Sequence, residues 1–85
     1  MSGSPTHHVS LRLPDFELGD APVVVARWYC AASERVVEGQ RLVEILSPEA
    51  TIEVSAPVSG RLIKQCIAVG QPVAVGQVLA IIDPF

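Results

Sequence analysis

The chain has 85 residues, of which 49% are hydrophobic and only 5% aromatic, so its core has to be built from Val, Ile, Leu and Ala side chains. This composition favours half-buried strands, and the length suits one compact domain without room for a second. Six basic residues against nine acidic ones give a formal net charge of −3 without a cluster along the chain, which excludes an electrostatic footprint for nucleic acid.

Nothing in the sequence indicates a membrane segment or an export signal. The longest apolar runs, residues 21–26 and 78–82, are far shorter than the ~20 residues of a membrane helix. The N-terminus lacks the basic and apolar regions of a signal sequence. We therefore expect no membrane partner and a cytoplasmic location.

The chain is predicted to begin with a flexible leader over residues 1–8, which are Met, Ser, Gly, Pro and Thr followed by two histidines. The histidines lie too near the start to be held by a fold, so no metal site is expected there. The folded domain is expected over residues 9–85. Its first strand is indicated by Val9, Leu11 and Leu13, which alternate with polar residues as on a strand with one buried face.

Further strands follow an exposed loop. Residues 15–22 mix Asp, Glu, Gly and Pro and are predicted to form that loop. Five later runs, each short, are expected to be strands: 23–30, 41–46, 51–55, 60–67 and 78–82. Several short strands at this spacing, with no capped 3.6-residue pattern, point to an all-β sandwich or barrel.

An internal repeat divides the chain into two similar halves. Residues 36–42 (VVEGQRL) align with residues 73–79 (VAVGQVL) at an offset of thirty-seven residues. The same offset pairs strand with strand and turn with turn, so we expect approximate two-fold symmetry. The turn at residues 48–50 has its counterpart at or beyond Phe85, so one end of the sandwich should carry a hairpin tip and the other the termini. Exposed tips on a rigid scaffold are common positions for carrier or recognition residues.

The run around this hairpin, residues 46–60, reads LSPEATIEVSAPVSG. Together with the repeat, it resembles the lipoyl domain of the 2-oxo acid dehydrogenase acyltransferases and, more distantly, the biotinyl carrier domain, over residues 9–82. The attachment motif of lipoyl domains is Glu, Ser or Thr, Asp, Lys, Ala, followed by Glu-Val, Ala-Pro and Gly. Seven residues keep this pattern: Ser47, Ala50, Glu53, Val54, Ala56, Pro57 and Gly60. Leu46, Pro48 and Glu49 depart from it, and Glu49 takes the place of the lysine.

The resemblance implies a fold and a set of site residues. The fold would be a flattened all-β barrel-sandwich of the lipoyl/biotinyl hammerhead type, with two four-stranded antiparallel sheets and pseudo-two-fold symmetry. The cofactor position would be Glu49, flanked by Pro48 and Ala50. In lipoyl domains the loop near the attachment hairpin contributes to recognition by the decarboxylase component. The residues implied in partner binding are therefore Asp15, Phe16, Glu17 and Glu49.

The chemistry at this hairpin differs from that of a carrier. Attachment in the family requires a lysine amine that attacks the activated carboxyl group of lipoate or biotin and forms an amide. A carboxylate such as Glu49 cannot form that amide, so no cofactor is expected. The chain's single lysine, Lys64, falls in a predicted strand. No nucleophile with a base, no Cys/His metal spacing and no paired carboxylates in a cleft indicate an enzyme in its own right.

Two cysteines and a tryptophan lie in apolar runs. Cys30 and Cys66 are compatible with a disulfide, a pair of metal ligands or small buried hydrophobes, and we expect buried free thiols. Trp28 is expected to be a core aromatic, because aromatic residues on strands usually pack.

The function favoured by the resemblance is a non-lipoylated protein-interaction or assembly module associated with 2-oxo acid dehydrogenase complexes. The alternative is a genuine lipoyl or biotinyl swinging-arm carrier of an acyltransferase complex, whose lysine was exchanged in this chain or whose lipoate is attached covalently to Lys64. A third hypothesis is the barrel-sandwich portion of an adaptor in an envelope efflux or secretion system. That hypothesis predicts a long helical hairpin inserted at the tip and a membrane anchor, neither of which is seen in this sequence. Fold alone cannot choose among the three, because function depends on the altered site.

Overall fold

The computed structural model describes residues 7–16 and 22–85, and in that part of the chain all regular elements are strands. The strands are β1 (Val9–Arg12), β2 (Val23–Trp28), β3 (Arg35–Val36), β4 (Arg41–Leu46), β5 (Thr51–Ser55), β6 (Gly60–Gln65), β7 (Pro72–Val73) and β8 (Val78–Pro84). The all-β prediction is confirmed. No helix that could cross a membrane occurs within the described residues. Most of the predicted leader lies outside them, so the flexibility of residues 1–8 stays a prediction.

The strands form two four-stranded sheets that pack face to face. One sheet has the order β1-β8-β6-β3 and is called sheet A; the other, called sheet B, has the order β5-β4-β2-β7. Every neighbouring pair is antiparallel. This is the barrel-sandwich that the resemblance implied.

The ends of the predicted strands lie within two residues of the ends of the observed strands. The strands predicted at 41–46 and 51–55 have the observed bounds. Those predicted at 23–30 and 60–67 each end two residues earlier, and the last strand extends two residues further. The two-residue strands β3 and β7 were not predicted, because two residues carry no periodicity.

The core lies between the two sheets and is aliphatic. Val25 and Leu62, from the inner strands β2 and β6, are completely shielded from solvent, as are Ile45 and Ile82 from β4 and β8. Burying each such side chain stabilises the fold by about 1.5–3 kcal/mol relative to leaving it exposed. Both pairs are related by the thirty-seven-residue offset of the repeat, so the two halves of the chain contribute equivalent core positions.

The two halves also repeat the same backbone hydrogen bonds. The Ser33 N–H donates to the Leu62 carbonyl at 2.6 Å, and the Gly70 N–H donates to the Val25 carbonyl at 2.8 Å. Ser33 and Gly70 both adopt the left-handed conformation, with φ of 79° and 87°. These equivalences confirm the two-fold symmetry expected from the repeat.

Trp28 and the two cysteines lie in or against the core. Trp28 is partly buried, and its indole N–H donates to the Ile67 carbonyl at 3.0 Å, which confirms a core aromatic. Cys30 is buried, Cys66 is half-buried, and both are free thiols. Desolvation, followed by the negative charge of Glu34, raises the pKa of the Cys30 thiol. The thiol form is therefore favoured, so Cys30 is a poor nucleophile.

Exchanging residues between the two symmetric left-handed turns is expected to change stability in opposite directions. A residue with a Cβ in this conformation costs roughly 1–2 kcal/mol, and the greater freedom of unfolded glycine offsets part of that cost. Ser33→Gly should raise the free energy of unfolding by about 0.5–1 kcal/mol, and Gly70→Ser should lower it by about 1 kcal/mol. Urea unfolding of both variants measures the two effects. A loss of stability in Ser33→Gly would contradict the prediction.

Candidate functional site

The β4–β5 hairpin ends in a short turn that a single serine closes. Leu46 and Thr51 are the last paired residues, so residues 47–50 form the tip. The Ser47 N–H donates to the Ala50 carbonyl at 2.9 Å. The buried Ser47 hydroxyl lies 3.0 Å from both the Ala50 N–H, from which it accepts, and the Ala50 carbonyl, to which it donates. Side-chain to backbone bonds of this kind fix the shape of a tight turn.

The remaining tip residues are exposed. The structure places Pro48, Glu49 and Ala50 in solvent at the end of the hairpin. The ring of Pro48 fixes its φ, and the Glu49 N–H points to the Ser47 hydroxyl at 3.4 Å. Within the described residues, no ion pair involves the Glu49 carboxylate. A stiff turn therefore presents a carboxylate to solvent.

The loop implied in partner binding is attached at the same end of the sandwich. Asp15 and Phe16 are exposed and follow Leu13, whose carbonyl accepts from the Gly76 N–H at 2.8 Å. The loop returns to the fold through β2, which lies beside the last residue of β4 and beside β7. Asp15 and Phe16 therefore belong to the end that carries the hairpin tip. Glu17 lies outside the described residues.

An apolar row crosses the outer face of sheet B beside the tip. The register places Pro72, Val24 and Leu46 side by side on three neighbouring strands, and the polar Thr51 follows on β5. Leu46 is 46% exposed, although it is a large aliphatic side chain. Sequence reasoning singled out only Leu46, because Val24 and Pro72 join it through strand pairings that the chain pattern does not reveal.

A polar cluster covers the middle of the same face and is called the Tyr29 cluster. It comprises Arg27, Tyr29, Arg41, Glu44 and Glu53. Glu44 and Glu53 are directly opposite each other on β4 and β5, and the Tyr29 hydroxyl lies 3.0 Å from a carboxylate oxygen of each, so it donates to one at a time. Arg41 pairs with Glu53 at 2.7 Å, and Arg27 lies 3.8 Å from Glu44. The two arginines offset the repulsion between like charges on adjacent strands.

Desolvation is the main cause that raises the pKa of the Tyr29 phenol above its ordinary value. Its hydrogen bonds to Glu44 and Glu53, and the negative charges of these two carboxylates, raise the pKa further. Each contact favours the neutral phenol over the phenolate. The Tyr29 cluster thus stabilises a protonated tyrosine on an open sheet face.

A metal-ligating cluster is not found in the described part of the chain. The described residues contain no group of three or more His, Cys, Asp or Glu side chains that could hold a metal ion. The carboxylates of Glu44 and Glu53 lie opposite each other on an open sheet face, where they are part of the Tyr29 cluster. What the hairpin tip offers chemically is one exposed carboxylate beside an apolar row, which suits recognition of another molecule.

A protein-family comparison matches most of the chain. Residues 10–82 fit the biotin/lipoyl family model, described as "Biotin-requiring enzyme". A lipoamide acyltransferase component of the branched-chain alpha-keto acid dehydrogenase complex of Pseudomonas aeruginosa is 35% identical over 66 residues, or 78% of this chain. A dihydrolipoyllysine-residue acetyltransferase component of the pyruvate dehydrogenase complex of Staphylococcus aureus is 29% identical over 72 residues, or 85% of this chain. The chain spans 15% and 17% of the lengths of these two relatives.

Two solved structures share the fold. The lipoyl domain of the 2-oxoglutarate dehydrogenase complex from Azotobacter vinelandii matches with a TM-score of 0.71 and 24% identity, covering 87% of this chain and 94% of that one. Urea carboxylase of Kluyveromyces lactis matches with a TM-score of 0.76 and 20% identity, covering 95% of this chain and 7% of that one. The architecture is therefore that of the lipoyl-domain fold. With residues 10–82 matched, this chain belongs to the biotin/lipoyl family, as a lipoyl-type domain related to acyltransferase components of 2-oxo acid dehydrogenase complexes.

The chain's single tyrosine is expected to titrate at unusually high pH. Because the pKa of Tyr29 is higher in the folded than in the unfolded state, the fold keeps this proton where the unfolded chain has lost it. The free energy of unfolding is therefore unaffected by Tyr29 below the ordinary phenol pKa. It falls as pH rises from that pKa to the raised pKa of the folded state. Ultraviolet absorbance of the phenolate measures the midpoint. The midpoint should fall in the double variant Glu44→Gln/Glu53→Gln but not in Glu38→Gln. Equal midpoints in the natural chain and both variants would contradict the role of Glu44 and Glu53 in raising the pKa.

Proposed function

We propose that this domain is a non-lipoylated protein-interaction or assembly module associated with a 2-oxo acid dehydrogenase-type complex, in which Glu49 occupies the position of the family's modified lysine. The observation that carries this proposal is the exposed Glu49 at the tip of the β4–β5 hairpin. The relatives that the chain matches are components of such complexes, which supports the choice of partners.

The tip does not fit lipoate or biotin. Attachment needs an amine as the nucleophile, and the tip offers the carboxylate of Glu49 between Pro48 and Ala50. No attachment step therefore passes through this site. Instead, the closed turn at Ser47 fixes the backbone that carries the carboxylate, which reduces the backbone entropy lost when a partner binds.

The alternative is a genuine carrier whose lysine was exchanged in this chain or whose cofactor is attached to Lys64, and only the second form depends on a residue that the chain contains. Lys64 is exposed, but it lies within β6 and opposite Ile81 in sheet A, so its backbone belongs to a paired strand. Lipoate attached there would extend from a sheet face and not from a hairpin tip. A ligase that recognises the tip of this fold would need a different way of docking, so the geometry favours the interaction module.

The proposed recognition surface combines charge and apolar area at one end of the sandwich. Its centre is Glu49 with Pro48 and the neighbouring apolar row, and Asp15 and Phe16 flank it. Glu17, the next residue in the sequence, is proposed to contribute to the same surface. Partners are proposed to be protein components of the complex. Neither catalysis nor a metal is assigned to the domain. Its free thiols fit a reducing compartment such as the cytoplasm, which is the proposed location.

The absence of lipoylation is tested by intact-protein mass spectrometry after coexpression with a lipoate ligase and, separately, a biotin ligase. We expect no added cofactor mass on the natural chain. Glu49→Lys should gain it, and the variant Leu46→Glu/Pro48→Asp/Glu49→Lys, which restores the attachment motif, should gain it more completely. Restoring the amine supplies the nucleophile at an exposed turn.

Lys64→Arg is the matched control in this experiment. If the natural chain gains mass and Lys64→Arg does not, Lys64 is the acceptor and the carrier hypothesis replaces the proposal. If the restored variant also stays unmodified, the assignment of Glu49 to the lysine position is wrong.

The interaction role is tested with the purified decarboxylase and acyltransferase components of the 2-oxo acid dehydrogenase complexes of the same organism. The natural domain should bind one of them. Glu49→Gln should raise the dissociation constant about tenfold, because one charge-assisted contact is lost. Glu38→Gln removes an exposed carboxylate that is not at the tip, and should leave binding unchanged. Equal weakening in both variants would indicate a non-specific charge effect and contradict the proposal.

A further inference from the structure

The two outer faces of the sandwich carry very different charges. Of the six basic residues, Arg27 and Arg41 belong to the Tyr29 cluster on sheet B. The other four are exposed and lie on the outer face of sheet A, where they form what we call the basic face: Arg12, Arg35, Arg61 and Lys64. They are scattered along the chain, so the sequence shows no cluster, but the strand order places them on one face. Arg35 is opposite Arg61, and Arg12 lies further along the face, beside the turn at Gly76.

A comparison of symmetry-related positions shows which carboxylates the basic face lacks. The offset of the repeat relates Lys64 to Arg27 and Ile81 to Glu44. On sheet B, Arg27 is opposite Glu44, and the two side chains form an ion pair. On sheet A, Lys64 is opposite Ile81, and the next strand contributes Ser10. The two faces therefore share a backbone, but sheet A lacks the carboxylates at these positions.

Two arginines of the basic face are anchored without losing their charge. An Nη atom of Arg12 donates to the Gly76 carbonyl at 2.8 Å, and one of Arg61 donates to the Ser33 carbonyl at 2.7 Å. A carbonyl is a dipole and carries no net charge, so both guanidinium groups stay cationic. Such anchoring lowers the side-chain entropy that a binding partner would otherwise have to remove.

The charges of the other two basic residues, Arg35 and Lys64, are also not neutralised by an ion pair in the described part of the chain. The Arg35 guanidinium lies 5.0 Å from the centre of the Phe85 ring. Neither Arg35 nor Lys64 forms an ion pair within residues 7–16 and 22–85. Asp83, opposite Arg61 in the register, is the one carboxylate among the described outward residues of sheet A. The face therefore carries a local positive charge on a domain whose net charge is negative.

An apolar strip lies between these charges. A bulge between Leu62 and Lys64 adds Ile63 to the outer side, where it is 40% exposed. Ile81 is half-buried beside Lys64. An apolar centre with a charged rim is the usual composition of a protein-binding surface.

We propose that the basic face binds an acidic protein segment that also carries aliphatic side chains. Its carboxylates would pair with the rim of Arg12, Arg61 and Lys64, and its aliphatic groups would cover Ile63 and Ile81. Charge complementarity supports this occupant.

A nucleic acid fits the same face less well. A phosphate backbone presents no aliphatic groups, so the apolar strip of Ile63 and Ile81 would stay uncovered. Glu49 lies on the hairpin of sheet B and is not part of this surface, so the proposal is independent of its role.

The test is a titration of the full ¹⁵N-labelled chain with a synthetic peptide of alternating Glu and Leu, followed by amide chemical shifts. Shifts are expected at Arg61, Lys64 and Ile81, and they should diminish as salt shortens the Debye length below about 10 Å. The same peptide with Gln in place of Glu should bind at least about tenfold more weakly.

Symmetry provides matched variants for this titration. Lys64→Gln and Arg27→Gln each remove one positive charge from equivalent positions, but only Lys64→Gln should weaken peptide binding, by about tenfold. Ile81→Glu places on sheet A the carboxylate found at Glu44 and should abolish binding, with its amide spectrum checked for folding. Glu49→Gln should bind the peptide like the natural chain.

Several outcomes would overturn the proposal. Shifts confined to the hairpin tip or to the Tyr29 cluster would place binding elsewhere, and equal binding of the Gln peptide would remove the role of charge. Tighter binding of a DNA duplex or of phosphatidylserine vesicles than of the acidic peptide would assign the basic face to a different class of partner. Absence of any shift at millimolar peptide would exclude the occupant altogether.

Discussion

The structure depends on the burial of symmetric aliphatic side chains between two four-stranded sheets. Val25 packs in one half where Leu62 packs in the other, and Ile45 corresponds in the same way to Ile82. A sandwich this thin has little core besides these inward positions, so they tolerate only apolar residues of similar volume. Differences between members of such a fold are therefore confined to the turns and the outward positions of the strands.

The hairpin tip illustrates how a rigid scaffold leaves one side chain free to vary. Ser47 closes the turn with its own backbone and hydroxyl, so the conformation does not require a particular residue at position 49. The identity of that residue changes the chemistry of the tip without changing its position. The exposed carboxylate of Glu49 makes this point of the fold acidic and hydrogen-bond-accepting.

The two outer faces differ in their side chains, although the two halves share the same backbone pattern. Both halves have a bulge at the same position of the inner strand, between Val25 and Arg27 and between Leu62 and Lys64. On sheet B, the neighbouring strands contribute carboxylates that pair with the arginines and with Tyr29. On sheet A, the corresponding positions are aliphatic or neutral. Backbone symmetry thus constrains where charges lie, and a few substitutions decide whether they are neutralised.

The sequence by itself determined the all-β class, the repeat and the exposed hairpin with Pro48, Glu49 and Ala50, because alternation and turn residues are local properties of the chain. Only the tertiary structure decided which distant side chains meet. The contacts of Tyr29 with Glu44 and Glu53 depend on strand order and on register. The placement of the four basic residues on one sheet face depends on them as well. A bulge of one residue changes which side chains share a face, and its position is set by packing between strands that are far apart in the chain.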